Sequence, residues 1–171
     1  MLFEIPKILA KSKCHYDRRG YLQEIYLRKD QKQNFKFSIL TSSKKNVFRG
    51  LHFQIKNQQA KLVYVARGTI LDVCVDLRKK SKNFGKVFKF NVKETKTLYV
   101  PKGFAHGYLC MSNKTIVVYY LSNYRDPKNE NGIIWNDKKL GIKLPTKNVI
   151  LSDKDQKLDS FDYFVKKYKS L

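Results

Sequence analysis

The chain has 171 residues, 42% hydrophobic and 13% aromatic, which bounds it to one domain, 1–171, long enough to bury a real core. Thirty-six Lys and Arg against 14 Asp and Glu leave a net charge of +22, which raises a polyanion as partner. The lysines are scattered through every segment and no nucleic-acid-binding motif accompanies them, so the charge reads as a solvated surface that attracts small phosphorylated substrates rather than nucleic acid.

No stretch approaches the roughly 20 apolar residues of a membrane span. The N-terminal MLFEIPKILAKSK lacks the apolar core and small-residue cleavage site of an export signal, so a cytoplasmic protein without membrane association is expected. Cys14, Cys74 and Cys110 are odd in number and follow no metal-ligand spacing, as expected of reduced thiols, with Cys74 in the core.

Taken in order, residues 1–13 predict a short strand or two broken by Pro6, followed by a turn at Asp17–Gly20 and a strand over Tyr21–Leu27. Residues 28–34 are polar and fit a short helix or loop. Phe35, Phe37 and Ile39 alternate as a strand, and Ser42–Asn46 is a loop. Further strands are expected over Arg49–Gln54, Leu62–Val65, Thr69–Leu77, Phe88–Val92, Thr97–Val100, Phe104–Leu109 and Ile116–Leu121. Residues 125–148 are loop-rich, with Trp135 as the one large anchor. Leu158, Phe161, Phe164, Val165 and Tyr168 follow helical spacing and predict a C-terminal amphipathic helix. Many short strands with almost no helix indicate a mainly β sandwich or jelly-roll barrel with a short C-terminal helical segment.

The stretch RGLHFQIKNQQAKLVYVARG, from Arg49 to Gly68, carries most of the chemistry. In an extended segment His52 and Gln54 share one face while Leu51 and Phe53 take the other. Lys61 opens an apolar strand, where its ammonium can reach into a cavity if a polar ligand meets it. Two features look like the halves of a cupin motif. Pro101-Lys102-Gly103-Phe104-Ala105-His106 resembles the second half. In the first, Gln54 stands for a histidine and Lys61 for the acid seven residues before Gly68. A lysine cannot ligate a divalent cation and Gln is a weak ligand, so no metal site and no cofactor are expected. A cavity with His, Lys and Tyr suits proton transfer beside a carbonyl: histidine as base, lysine at the developing enolate oxygen, and a tyrosine hydroxyl as second proton carrier. Tyr119, Tyr120 and Tyr124 cluster at one strand end, and alternation sends only one of the first two inward.

RGLHFQ, QAKLVYVARG, VDLRKKSKNFGK, VPKGFAHGY and WNDKKLGI, in this order, resemble the dTDP-4-dehydrorhamnose 3,5-epimerase family. The resemblance runs from about Asp17 to about Asp155. It implies a metal-free cupin jelly roll, usually a homodimer, that inverts carbons 3 and 5 of a nucleotide-linked 4-keto-6-deoxy sugar through enolates, without cofactor, for surface polysaccharide. By motif, His52 matches the base, Asp155 the acid that orients it, Lys61 the enolate-side lysine and Tyr119 the opposite proton donor. His106 matches a second cavity histidine and Arg49 the diphosphate-binding arginine. Arg19 and Glu24 match residues that contact the nucleotide, across the dimer in one reading, and Gln54 lies beside the base. Where the family carries Gln-x-Asn, this chain has Phe37 and Ile39; Arg125 replaces a second tyrosine, and Leu144-Pro145 replaces Trp-Pro. These departures point to a shifted substrate, a GDP-linked 4-keto heptose beside the dTDP-linked hexose. The competing readings are inversion at one carbon only, a 3,4-ketoisomerase on the same scaffold, and a non-catalytic binding module for sugar nucleotides or nucleic acid.

Overall fold

The computed structural model describes residues 4–9, 13–30, 33–168 and 171. The expected strands at 1–13 and the short helix or loop at 28–34 therefore lie partly outside the described residues; Arg28–Asp30 form a single 3-10 turn. Two five-stranded antiparallel sheets face each other. The first runs in the order β1 (Lys7–Ile8), β9 (Thr97–Val100), β6 (Lys61–Arg67), β11 (Thr115–Leu121), β4 (Phe37–Ser43). The second runs β12 (Glu130–Gly132), β5 (Phe48–Gln54), β10 (Phe104–Cys110), β7 (Thr69–Asp76), β8 (Val87–Lys93). A separate hairpin, β2 (Cys14–Asp17) and β3 (Gly20–Gln23), forms a third, two-stranded sheet.

From β4 onward the chain changes sheet at almost every connection; only β7 and β8 are successive strands of one sheet. That crossing path is a jelly roll, with the two sheets left open rather than closed into a barrel. Two of the corners are glycines with positive φ. Gly68 (φ +87°) turns β6 into β7, and Gly103 (φ +83°) turns β9 into β10 against the Arg78 side chain. The VDLR and PKG motifs therefore do corner work: Arg78 pairs with buried Asp76 at 2.6 Å and lies over the Phe104 ring.

Three apolar clusters explain the near-continuous hydrophobic strands. Val63, Val65, Cys74, Tyr108 and Val117 pack between the sheets. Leu51, Phe53, Val73, Val75 and Leu109 sit on the outer face of the second sheet, covered by Ile133, Leu140 and Phe164 from the C-terminal third. Leu62 and Tyr99 face outward from the first sheet, under Phe35. Middle strands covered on both faces lose the alternation that marks a half-exposed strand.

The C-terminal helix is α2 (Phe161–Lys167), capped by Ser160, whose Oγ accepts from Tyr163 N at 3.1 Å. It is shorter than its spacing suggested: Leu158 lies outside it and Val165 is exposed, so Phe161, Phe164 and Tyr168 make the packing face. The short strand β12 stands within the stretch 125–148 expected to be loop-rich, and a four-residue helix α1 (Asp153–Gln156) in a segment for which no element was predicted. No helix among the described residues is long and apolar enough to cross a membrane.

Candidate active site

One end of the space between the sheets is left unfilled, as a cavity of about 580 Å³, within the range of small-molecule sites. Its walls differ chemically. The second sheet contributes Arg49, His52 and His106, and the first contributes Lys61 and Tyr119. His52 on β5 is the direct cross-strand neighbour of His106 on β10. In β11 the burial alternates so that Tyr119 faces inward, while Tyr120 points out and stacks on Tyr26 with ring centroids 5.0 Å apart.

Arg49 and His52 are three residues apart and would leave a regular strand on opposite faces. Both line the cavity because the ladder is irregular at Gly50, which has φ +124° and lies where the β5–β10 register shifts between His106 and Tyr108. A Cβ on Gly50 would meet Gly107 Cα at 2.6 Å and the His106 carbonyl oxygen at 2.7 Å. Only glycine allows that approach.

Asp155 reaches His52 from far along the chain. Residues 46–48 and 150 exchange backbone hydrogen bonds (Phe48 N to Ile150 O at 2.9 Å, Ile150 N to Asn46 O at 2.9 Å), laying the C-terminal segment beside β5. Ser152 then caps α1, accepting from Asp155 N, and the buried Asp155 carboxylate meets His52 Nε2 at 2.7 Å and accepts from Gly50 N at 3.3 Å. Burial raises the Asp155 pKa, but the His52 hydrogen bond and charge, Gly50 N–H and Ser152 outweigh it and hold the carboxyl below its usual range. In the neutral imidazole, an Nε2–H held by Asp155 leaves Nδ1 bare toward the cavity.

A second dyad lies deeper. His106 Nε2 meets buried Asp72 at 2.8 Å, and Asp72 also accepts from the Cys74 thiol at 3.3 Å. Burial lowers the His106 pKa against the pull of Asp72, which favours neutral imidazole. Asp72, Cys74 and His106 are close enough together to hold a cation. Burial, however, pushes the Cys74 thiol well above its usual range and Asp72 already bonds both of the others, with the Lys61 ammonium nearby. That donor set fits a hydrogen-bonded cluster better than a divalent metal.

Lys61 has no hydrogen-bond or ion-pair partner among the described residues, and burial pulls its pKa down from the lysine range against Cys74, Asp72 and Glu130. Burial, then Tyr108, pushes the Tyr119 phenol well above the tyrosine range, so it stays protonated at neutral pH. At the mouth, Glu130 Oε2 bridges Arg125 Nη2 at 2.7 Å and Lys154 Nζ at 2.9 Å. Among the described residues Arg49 uses only its Nε, on Ser43 Oγ at 3.0 Å, and leaves the guanidinium fork to the cavity.

Of the residues singled out by sequence, His52, Asp155, Lys61, Tyr119, Arg49 and His106 come together. Gln54 lines the same space, but its amide is spent on backbone of residue 57 and of the 124–126 loop: Nε2 donates to Asn57 O and Tyr124 O, and Oε1 accepts from Asp126 N at 2.8 Å. It is a fastener rather than a ligand group. Arg19 and Glu24 are not brought to the cavity of their own chain. Arg19 is exposed and pairs with Asp17 at 2.6 Å, and Glu24 is exposed past β3, because the β2–β3 hairpin is held outside the first sheet by Gln23, which bonds Tyr64 and Thr95. Asp72, Glu130 and Lys154 were not singled out by the sequence reading. Alternation within β7 was the available signal for Asp72; nothing local marked the other two.

The family model for dTDP-4-dehydrorhamnose 3,5-epimerase matches residues 4–162. The chain belongs to that family. A dTDP-4-dehydrorhamnose 3,5-epimerase of Shigella flexneri is 38% identical, over 95% of this chain and 97% of its own. Among solved structures, the Legionella pneumophila epimerase in complex with dTDP-4-keto-L-rhamnose superposes with a TM-score of 0.85 at 30% identity, covering 92% of this chain and 93% of that one. The Bacillus anthracis epimerase with TDP and pyrophosphate bound gives 0.84 at 34%, covering 91% and 99%. Membership makes this chain an isomerase that acts on carbohydrate, with the jelly roll of its relatives.

Proposed function

We propose that this epimerase inverts carbons 3 and 5 of a nucleotide-diphosphate-linked 4-keto-6-deoxy sugar, in the cytoplasm and for surface polysaccharide. The observation that carries the reading is the placement of His52, bonded to Asp155, on one sheet and the Tyr119 phenol on the sheet facing it. Inversion needs proton removal from one face of the ring and delivery to the other. His52 Nδ1 takes the proton beside the keto group, and the electron pair moves onto the carbonyl oxygen. The Lys61 ammonium stabilises that enolate oxygen, and Tyr119 O–H protonates the carbon from across the plane. Asp155 stabilises the imidazolium as it forms. Arg49, Lys154 and Arg125 stand where a diphosphate would meet them.

The dTDP group carried by relatives supports a dTDP-linked hexose as substrate. The mouth favours a second reading, a GDP-linked heptose, because Phe37 and Ile39 make that wall apolar and Phe37 stacks on the exposed Tyr124, centroids 5.7 Å apart. In a homodimer, Arg19 and Glu24 would serve the partner's cavity. The exposed Tyr16, Tyr21 and Leu22 of the hairpin and Leu40 of the edge strand β4 offer apolar surface for such contact.

NMR in deuterium oxide tests the activity. Wild type is expected to exchange both ring protons beside the keto group, and His52→Asn neither, while still binding nucleotide. Exchange by His52→Asn at the wild-type rate would refute the base assignment, and exchange at one carbon only would make the enzyme a single-position epimerase. A thermal-shift comparison of dTDP and GDP separates the substrates, since a ligand at 100 times its Kd adds about 2.7 kcal/mol to native stability.

A further inference from the structure

Two inversions in one visit need two proton deliveries from a single phenol. After the first, Tyr119 is a phenolate and His52 an imidazolium, and the substrate fills the cavity between them and the mouth. His52 remains partly exposed, with 29% of its side-chain surface open, and can release its proton to water. Tyr119 is buried and has no such route while substrate is bound.

Behind it stands a hydroxyl line. Tyr108, on β10 of the opposite sheet, is fully buried, with its ring centroid 6.0 Å from that of Tyr119. Burial raises the pKa of both phenols, and each also feels the other. Tyr108 Oη lies 2.8 Å from Thr41 Oγ1, so the contact spans the two sheets. Thr41 sits on the edge strand β4, half-buried, and its hydroxyl also reaches Val117 O at 3.4 Å. The Tyr108 ring lies against that of the proton donor, and its hydroxyl meets a threonine that lines the cavity.

We propose that Tyr108 and Thr41 are positioning residues that form a proton relay and recharge Tyr119 between the two deliveries. The transfer is concerted, so no threonine alkoxide forms: water gives a proton to Thr41, Thr41 to Tyr108, and Tyr108 to the Tyr119 phenolate. The imidazolium of His52 returns one proton to solvent, and the count closes. The relay rests on the double-inversion reading above.

The relay makes the second inversion depend on residues that the first does not use. With enzyme in excess over a dTDP-linked 4-keto-6-deoxyglucose, quenched single turnovers of wild type should give the doubly inverted sugar. Tyr108→Phe should keep the first inversion within about twofold and slow the second about tenfold or more, so that singly inverted sugar accumulates. Thr41→Val should do the same and Thr41→Ser should restore the wild-type partition. Thermal melts of each variant accompany the kinetics. Equal slowing of both inversions would make Tyr108 merely structural and overturn the relay, as would an unchanged product partition in both Tyr108→Phe and Thr41→Val. A wild type that exchanges no ring proton would instead bring down the underlying activity.

Discussion

Asp155→Asn isolates the dyad on which the base depends. The carboxylate is 4% exposed and accepts from His52 at 2.7 Å and from Gly50 N at 3.3 Å. The amide fills the same volume but carries no charge, and its NH2 can donate to Nε2. That would move the imidazole proton to Nδ1, the atom that must be bare to act as base. Loss of tautomer control together with loss of imidazolium stabilisation should lower the rate of ring-proton exchange about 10²–10⁴-fold. Losing one charge-assisted hydrogen bond costs about 1.5–3 kcal/mol, which for a chain of this length corresponds to a Tm fall of about 3–12 °C. Exchange followed by NMR in deuterium oxide and the melt followed by calorimetry read the two effects separately. Nucleotide affinity should hold within about twofold, since the cations proposed to meet the diphosphate are untouched. Exchange in Asp155→Asn within about twofold of wild type, with nucleotide still bound, would refute the reasoning.

Lys61→Met should abolish turnover by about 10²–10³-fold yet stabilise the free protein, because the ammonium is partly buried without a partner; calorimetry should show Tm rising about 2–4 °C for each kcal/mol relieved. Gly50→Ala puts a Cβ 2.6 Å from Gly107 Cα at φ +124°, a loss of about 2–4 kcal/mol that a denaturant melt would detect. The pH dependence of Tm should have two stages. His106 has a pKa lowered from 6.5, so it contributes stability above that value that is lost as pH falls below it, and removing the imidazole should flatten this upper stage. Asp155 and Glu130 have lowered pKa values, so their contribution is present above the unfolded carboxylate values of 3.8 and 4.5 and is lost as pH falls through the lower folded ones.

Most of the barrel-like architecture was legible because short apolar runs and Gly or Pro corners repeat along the chain, and one inward tyrosine follows from alternation alone. His52 and Lys61 stood out as polar groups at core positions of strands. What stayed hidden depends on contacts between distant segments. Asp72 is embedded in the run TILDVCVD, where both faces are buried and a single acid looks like an interruption rather than the partner of a cavity histidine. Glu130 sits on a three-residue strand too short to announce itself by periodicity; Asp155 was named by motif, but the four-residue helix that carries it was not foreseen. The shared face of Arg49 and His52 follows from the irregularity at Gly50, which alternation alone would have denied. The hairpin carrying Arg19 was legible as a turn, but its position outside the sandwich was not.

The most direct test of two-face proton transfer is Tyr119→Phe, assayed in deuterium oxide for isotope uptake and for ring configuration at once. With the base intact and the opposite donor gone, deuterium should enter beside the keto group with configuration retained, while inversion falls by about 10²-fold or more. Inversion at the wild-type rate in that variant would contradict the account.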